Sequence, residues 1–129
     1  MNRELLVARA TAAREHAIAP YSAFKVGAAL LTGDGKVYEG CNIENASYGL
    51  TVCAERVALL KALSEGEREF EAIAVVTDAR TLTPSCGSCR QLLWEYCGNL
   101  TIFLHSLKGL DATHRLSDLF PHPFDASNL

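Results

Sequence analysis

Three of the five cysteines in this chain form a pattern that could hold a metal ion. Cys86 and Cys89 enclose two residues, and Cys53 lies 33 residues upstream of Cys86. Residues i and i+3 in the first turn of a helix share one face, so a single ion can bridge Cys86 and Cys89. Three thiolates suit Zn²⁺ and leave a fourth position open for water. The chemistry that this pattern predicts is hydrolysis by an activated water.

Glu55 follows Cys53 by two positions, at the predicted start of a helix. A carboxylate there could complement the helix dipole or shuttle a proton beside a zinc-bound water. The neighbouring cysteines favour the shuttle. Arg56 and Arg90 each adjoin the cluster in sequence. Because three thiolates outweigh one dication, these two guanidinium groups are expected to offset the excess charge and to donate hydrogen bonds to sulfur.

Two other readings of the cysteines remain open. A C-x-x-C pair can be a redox site, but the strand-then-C-x-x-C pattern expected near the N-terminus is absent. A structural zinc site needs a fourth ligand, for which Cys41 and Cys97 are available by type. The simpler interpretation makes these two cysteines small buried residues. The histidines show no ligand spacing.

The elements that must position these residues can be predicted from apolar patterning and turn signals. Helices are expected over 4–17, over 53–64 and from 85–87 to a cap at Gly98. A hairpin is expected over 25–39, and strands over 73–77 and 101–104. A helical turn over 116–120 would precede an extended tail. An alternation of strands and helices after a leading hairpin predicts an α/β fold, a three-layer α/β/α sandwich with a central mixed sheet. Two helix starts would then meet at one end of the sheet.

Composition limits the remaining possibilities. A chain of 129 residues predicts a single domain over 1–129, and 49% hydrophobic with 21% charged residues is ordinary for a globular protein. The net charge of -3 argues against binding to a nucleic acid polymer. We expect no membrane partner and no signal peptide, because no apolar run approaches about 20 residues. The expected compartment is the reducing cytoplasm.

Five segments of the chain together resemble the zinc-dependent cytidine deaminases, a class that includes a three-cysteine form with a glutamate that is not a ligand. The segments are 21–30 (Y-S-x-F-x-V-G-A-A-L), 40–48 (G-C-N-I-E-N-A-S-Y), 53–56 (C-A-E-R), 64–66 (S-E-G) and 86–91 (C-G-x-C-R-Q). The resemblance implies a cytidine deaminase fold and a hydrolase that converts cytidine and deoxycytidine to uridine and deoxyuridine, with release of ammonia, in pyrimidine salvage.

The resemblance also implies roles for individual residues. Cys53, Cys86 and Cys89 would hold one zinc ion per subunit. Glu55 would move a proton from the zinc water to N3 of the pyrimidine and later protonate the departing amino group.

Substrate contacts are implied in the same way. Asn42 and Glu44 match residues that bind the ribose hydroxyls, and a carboxylate there would repel a 5′-phosphate. Phe24 matches a residue that stacks near the base, and the backbone of Ala54 and of Cys86 would read the pyrimidine edge. Phe124 would reach the base of a neighbouring subunit, since the family's small form is a homotetramer with sites at subunit interfaces.

The sequence departs from the family at one position, because Ser85 stands where proline usually precedes Cys86, and Pro84 comes one place earlier. Serine can cap a helix instead. The main alternative is a deaminase of another aminopyrimidine nucleoside such as blasticidin S, which should lack the Asn-x-Glu pair. A structural zinc-binding module is a further alternative.

Overall fold

The computed structural model of this chain describes residues 2–129; Met1, the first residue of the predicted domain, lies outside them. Within the described range the chain forms five strands, four α-helices and two short 3-10 helices. In chain order these are α1 (Arg3–Arg14), β1 (Gly27–Thr32), β2 (Val37–Cys41), a 3-10 turn (Tyr48–Leu50), α2 (Ala54–Ser64), β3 (Phe70–Thr77), α3 (Gly87–Cys97), β4 (Thr101–Ser106), β5 (Leu110–Arg115), α4 (Leu116–Leu119) and a second 3-10 turn (Ala126–Asn128).

The strands form one mixed sheet in the order β2-β1-β3-β4-β5. Only the β3–β4 pair is parallel among the described strands, and α3 makes the crossover between them. Gly35, at φ 91°, closes the predicted β1–β2 hairpin, and Thr32 N–H donates to the Lys36 carbonyl at 2.9 Å. No helix within residues 2–129 is long and apolar enough to cross a membrane.

Both faces of the sheet are covered, which confirms the predicted three-layer sandwich. One face packs against α2, α3 and α4 through side chains such as Leu30, Ile73 and Ile102. The other packs against α1 through side chains such as Leu31, Val76 and Phe103. Since β1 contributes to both faces, all six of its residues are buried, and it reads in sequence as a continuous apolar run.

Gly40 brings the first turn of α2 unusually close to the sheet. A Cβ atom at this position would lie 2.4 Å from the Ala54 carbonyl oxygen and 2.6 Å from the Ala58 nitrogen. Any side chain would therefore force α2 away from β2. The glycine sets the distance at which the helix start carrying Cys53 and Glu55 rests on the sheet.

The structure differs from the predictions in several places. Strand β3 begins at Phe70 rather than at residue 73, and β4 ends at Ser106 rather than at residue 104. Helix α1 ends at Arg14 rather than at residue 17, because Ile18 exchanges backbone hydrogen bonds with Asn42 and Glu44 at 3.0 and 2.8 Å. Strand β5 was not predicted, because its mostly exposed residues carry no apolar alternation, and pairing with β4 makes it a strand. The tail ends in a 3-10 turn rather than a fully extended path. The α3 cap at Gly98, with φ 67°, is confirmed.

Candidate active site

Two helix starts meet at one end of the sheet and carry the three cysteines of the predicted metal site. Cys53 is the N-cap residue of α2, Cys86 is the N-cap residue of α3, and Cys89 lies in the first turn of α3. Among residues 2–129, the Cys53 and Cys86 side chains make no cap hydrogen bond to their own helices. Their sulfur atoms face each other instead. The Cys53 and Cys86 Sγ atoms are 3.7 Å apart, and all three Sγ atoms lie within 4.8 Å of one another.

This spacing fits a tetrahedral zinc ion. Zn–S bonds of about 2.3 Å at the tetrahedral angle place two sulfur atoms about 3.8 Å apart. Within the described residues, no further histidine, cysteine or carboxylate joins the cluster. Cys41 and Cys97 are half-buried free thiols outside it, and burial raises the pKa of Cys97 to about 12. The donor set therefore has three members, as in a catalytic site with an open position.

The cysteines share protons in a way that favours one thiolate without any metal. Hydrogen bonds from Cys89 and from Cys86, together with the positive charge of Arg56, lower the pKa of Cys53 to about 6. The pKa of Cys89 is raised, because its thiol donates to Cys53 and because it is buried. A metal ion needs deprotonated sulfur, so the lowered pKa of Cys53 favours metal binding at this cluster.

The two arginines flank the cluster differently. The Nε atoms of Arg56 and Arg90 are buried and have no hydrogen-bond partner in the part of the chain that the structure describes. Arg90 donates from Nη1 to the Leu119 carbonyl at 2.8 Å, so it also ties α3 to the end of α4. A buried N–H group without a partner is costly, so each of these two groups can still bond an acceptor that comes within its reach.

Glu55 is the second residue of α2 and is only 5% exposed. Burial raises the pKa of its carboxyl. It lines a cavity of about 220 Å³ that opens beside the cysteines. A carboxyl held in an apolar wall next to a metal site is suited to carrying a proton.

Six of the other residues predicted for this site also line that cavity: Phe24, Asn42, Glu44, Cys53, Ala54 and Cys86. Cys89, Arg56 and Arg90 are not among its described lining residues. Two backbone hydrogen bonds of 2.9 Å between Ile43 and Val52 hold the Asn42 segment beside Cys53. Phe124 is not among the described lining residues, and its ring is 58% exposed.

Comparison with known proteins identifies the family of this chain. The model of the cytidine and deoxycytidylate deaminase zinc-binding region matches residues 1–104. A cytidine deaminase of Halalkalibacterium halodurans is 51% identical over 130 aligned positions, which cover 100% of this chain and 98% of that protein. The chain belongs to the cytidine and deoxycytidylate deaminase family.

Solved structures agree with this membership. The crystal structure of a cytidine deaminase from Burkholderia pseudomallei superposes with a TM-score of 0.92 at 50% identity, covering 96% of this chain and 100% of that one. A blasticidin-S deaminase of Bacillus cereus is more distant, at 30% identity over 105 residues and 74% of each chain. The family is one that binds zinc, and the three-cysteine cluster could hold such an ion.

The sugar-contact residues predicted from the family resemblance are held by the backbone. Asn42 is buried; its Oδ1 accepts from the Val26 N–H at 2.9 Å, and its Nδ2 donates to the Phe24 carbonyl at 2.8 Å. Each end of the amide keeps one further hydrogen-bonding position. Glu44 Oε1 accepts from the N–H groups of Tyr21 and Ser22 at 3.0 and 3.1 Å. The Ser22 hydroxyl donates to Oε2 and lowers the pKa of Glu44.

Tyr21, Ser22 and Thr51 are residues of this region that the sequence does not single out. These residues and Tyr48 surround Glu44 in an adjoining pocket of about 290 Å³. The Tyr21 and Tyr48 rings meet edge to face, with centroids 6.2 Å apart. The family-like segments contained three of the four, so the signal was present, but nothing in a single sequence separates a positioning residue from a packing residue.

The C-terminal tail holds Phe124 on a fixed backbone. Gln91 Nε2 donates to the Phe124 carbonyl at 2.7 Å, and Trp94 Nε1 donates to Asp125 Oδ2 at 3.0 Å. These two bonds fix the backbone at Phe124 and just after it, while the ring stays exposed and can contact another molecule.

Proposed function

We propose that this chain deaminates cytidine and deoxycytidine to uridine and deoxyuridine, with water consumed and ammonia released. The observation that carries the proposal is the buried Glu55 carboxyl beside a three-cysteine cluster, on a cavity that Glu55, Cys53 and Cys86 line. The identity of about half to cytidine deaminases along the whole chain supports the same substrate class.

Cys53, Cys86 and Cys89 would hold the zinc, and Arg56 and Arg90 would offset the charge of the three thiolates. Bound zinc supplies a water of lowered pKa next to the substrate. Glu55 would move both protons of the attacking water: it accepts the first and delivers it to N3 of the pyrimidine, then takes the second from the hydroxyl on C4 and gives it to the amino nitrogen, which leaves as ammonia. Its burial keeps competing water away from these transfers.

The remaining site residues would bind and orient the nucleoside. Phe24 would stack near the base, and the backbone of Ala54 and Cys86 would pair with the pyrimidine edge. Asn42, with one donor and one acceptor unused, and Glu44, with a charged carboxylate, would bind the sugar hydroxyls. The Glu44 charge disfavours a 5′-phosphate, so we infer that nucleosides are preferred to nucleotides and to polynucleotides.

We also propose a homotetramer in which Phe124 completes the site of a neighbouring subunit. Tyr48, Leu50 and Phe124 are each more than half exposed, which a lone chain has no reason to maintain together.

We further propose that residues 1–129 act as a single catalytic domain, because both apolar cores pack on the same sheet. Five free cysteines fit the reducing cytoplasm. The proposed reaction would serve pyrimidine salvage there.

The test is an ultraviolet assay of cytidine and deoxycytidine conversion, with zinc quantified in the same samples. We expect about one zinc per chain, loss of conversion with a chelator and recovery on zinc addition. Glu55→Gln should keep the zinc and lose turnover. Zinc-loaded protein that leaves both nucleosides unchanged would instead indicate a structural module. Faster turnover of blasticidin S than of cytidine would indicate the other deaminase class.

A further inference from the structure

Ser22 joins two residues of the cavity that belong to different parts of the chain. The Ser22 hydroxyl donates to Glu44 Oε2. The Oγ atom of Ser22 also accepts from the Phe24 N–H at 3.0 Å. The two partners come from the loop after α1 and from the segment after β2. One side-chain oxygen therefore sets the Glu44 carboxylate and the Phe24 backbone relative to each other.

The loop is shaped to present this hydroxyl. Ala23, between Ser22 and Phe24, has a φ of 56°, in the left-handed region that a residue with a Cβ rarely occupies. The Ala23 N–H donates to the Ala19 carbonyl at 3.0 Å, which closes the turn. A strained conformation persists only where surrounding contacts impose it, and these cluster at functional sites. Here the strain turns Ser22 back toward Glu44.

The hydrogen bonds to the Glu44 carboxylate leave one acceptor position for a ligand. An ionised carboxylate offers about four acceptor positions. On Glu44, the backbone N–H groups of Tyr21 and Ser22 fill two of them, and the Ser22 hydroxyl fills a third. A single acceptor position remains, with its direction fixed by the other three.

We propose that Ser22 is a positioning residue for substrate binding, which acts through Glu44 by fixing the carboxylate so that its one remaining acceptor position points at a sugar hydroxyl. This inference rests on the proposed function, in which Glu44 binds the sugar. Ser22 also favours the charged form of Glu44, because its hydroxyl lowers the pKa of that carboxyl. Without Ser22 the carboxylate would rotate or bind water in place of the hydroxyl.

The experiment measures kcat and KM for cytidine in four proteins: wild type, Ser22→Ala, Ser22→Thr and Ser64→Ala. A hydrogen bond to a charged acceptor predicts a KM about tenfold higher in Ser22→Ala, with kcat within about twofold. Ser22→Thr keeps a hydroxyl and should restore KM to within about threefold. Ser64→Ala is the control, because that hydroxyl bonds the Lys61 carbonyl at 2.8 Å at the far end of α2.

Two further measurements separate positioning from general damage to the loop. In a Glu44→Gln background, adding Ser22→Ala should change KM less than about twofold, because the route through the carboxylate is already lost. With 2′,3′-dideoxycytidine, which lacks the 2′- and 3′-hydroxyls, wild type and Ser22→Ala should have the same KM. An undiminished effect in either case, or a wild-type KM in Ser22→Ala, would overturn the proposal. Failure of the wild type to convert cytidine at all would count against the proposed function instead.

Discussion

Replacing Gly40 by alanine tests whether the contact between β2 and α2 builds the zinc site. The new methyl group would lie 2.4 Å from the Ala54 carbonyl oxygen and 2.6 Å from the Ala58 nitrogen, whereas ordinary contacts begin at 3.4 Å. Both obstacles are backbone atoms, so no rotamer change relieves them. The first turn of α2 must retreat by about 1 Å, and Cys53 and Glu55 must move with it.

Overpacking of this kind costs about 1–3 kcal/mol in the free energy of unfolding, and each kcal/mol lowers the midpoint of thermal unfolding by about 4 °C in a domain of this size. The shift also disturbs a sulfur cluster whose 3.7 Å spacing already fits zinc. We therefore expect Gly40→Ala to bind zinc at least about tenfold more weakly, a loss typical of disturbed ligand support.

Gly27→Ala is the matched control, because it overpacks the other face of the sheet. Its methyl group would lie 1.9 Å from the Ala10 carbonyl oxygen, against α1. Stability should fall at least as far as in Gly40→Ala, while the zinc affinity of the folded protein should stay within about threefold of wild type. Gly49→Ala, with no atom within 4 Å of the new methyl group, should change neither quantity.

The assay combines thermal unfolding at one fixed protein concentration with zinc competition against a chromophoric chelator. A fixed concentration is needed, because any assembly of subunits makes the midpoint depend on it. Wild-type stability and zinc affinity in Gly40→Ala would refute the reasoning. Equal loss of zinc affinity in Gly27→Ala would show that the effect is general destabilisation rather than placement of α2.

Four further substitutions test individual site residues. Glu55→Gln should retain zinc and lower kcat by about 10²–10⁴-fold, because the amide cannot carry the proton; zinc content and the ultraviolet assay measure both. Arg56→Ala should weaken zinc retention during dialysis against chelator, because the thiolate charge is no longer offset. Phe124→Ala should raise KM while leaving kcat within about twofold, because its exposed ring would contact the base in the site of a neighbouring subunit and not the reacting atoms. Ser85→Ala should move the acidic limb of the kcat profile to higher pH, because the buried Ser85 hydroxyl lowers the pKa of the Glu55 carboxyl and its removal lets that pKa rise further.

Each of these has an outcome that contradicts it. Near wild-type turnover in Glu55→Gln would remove the proton shuttle, and equal zinc retention in Arg56→Ala would remove the charge offset. An unchanged KM in Phe124→Ala would assign the ring to packing between subunits. An unchanged acidic limb in Ser85→Ala would mean that its hydroxyl does not act on Glu55.

Much of the site follows from residue types and spacing. Cys86 and Cys89 share a face because a helix places residues i and i+3 together, and the helix start is marked by the residues around them. The alternation of strands and helices predicted the three layers, since each apolar face needs a partner. These features depend on local periodicity, which a single sequence carries.

Other features depend on contacts between distant segments. Strand β5 exists because β4 offers a free edge, and α1 stops at Arg14 because Ile18 pairs with the Asn42 segment. The same pairing brings Ser22 to Glu44, a contact between residues 22 positions apart that no periodicity encodes. The sequence determined which atoms could bind zinc and move protons. The tertiary structure decided which residues hold those atoms in place, because long-range backbone pairing and the close approach at Gly40 arise only when the layers pack.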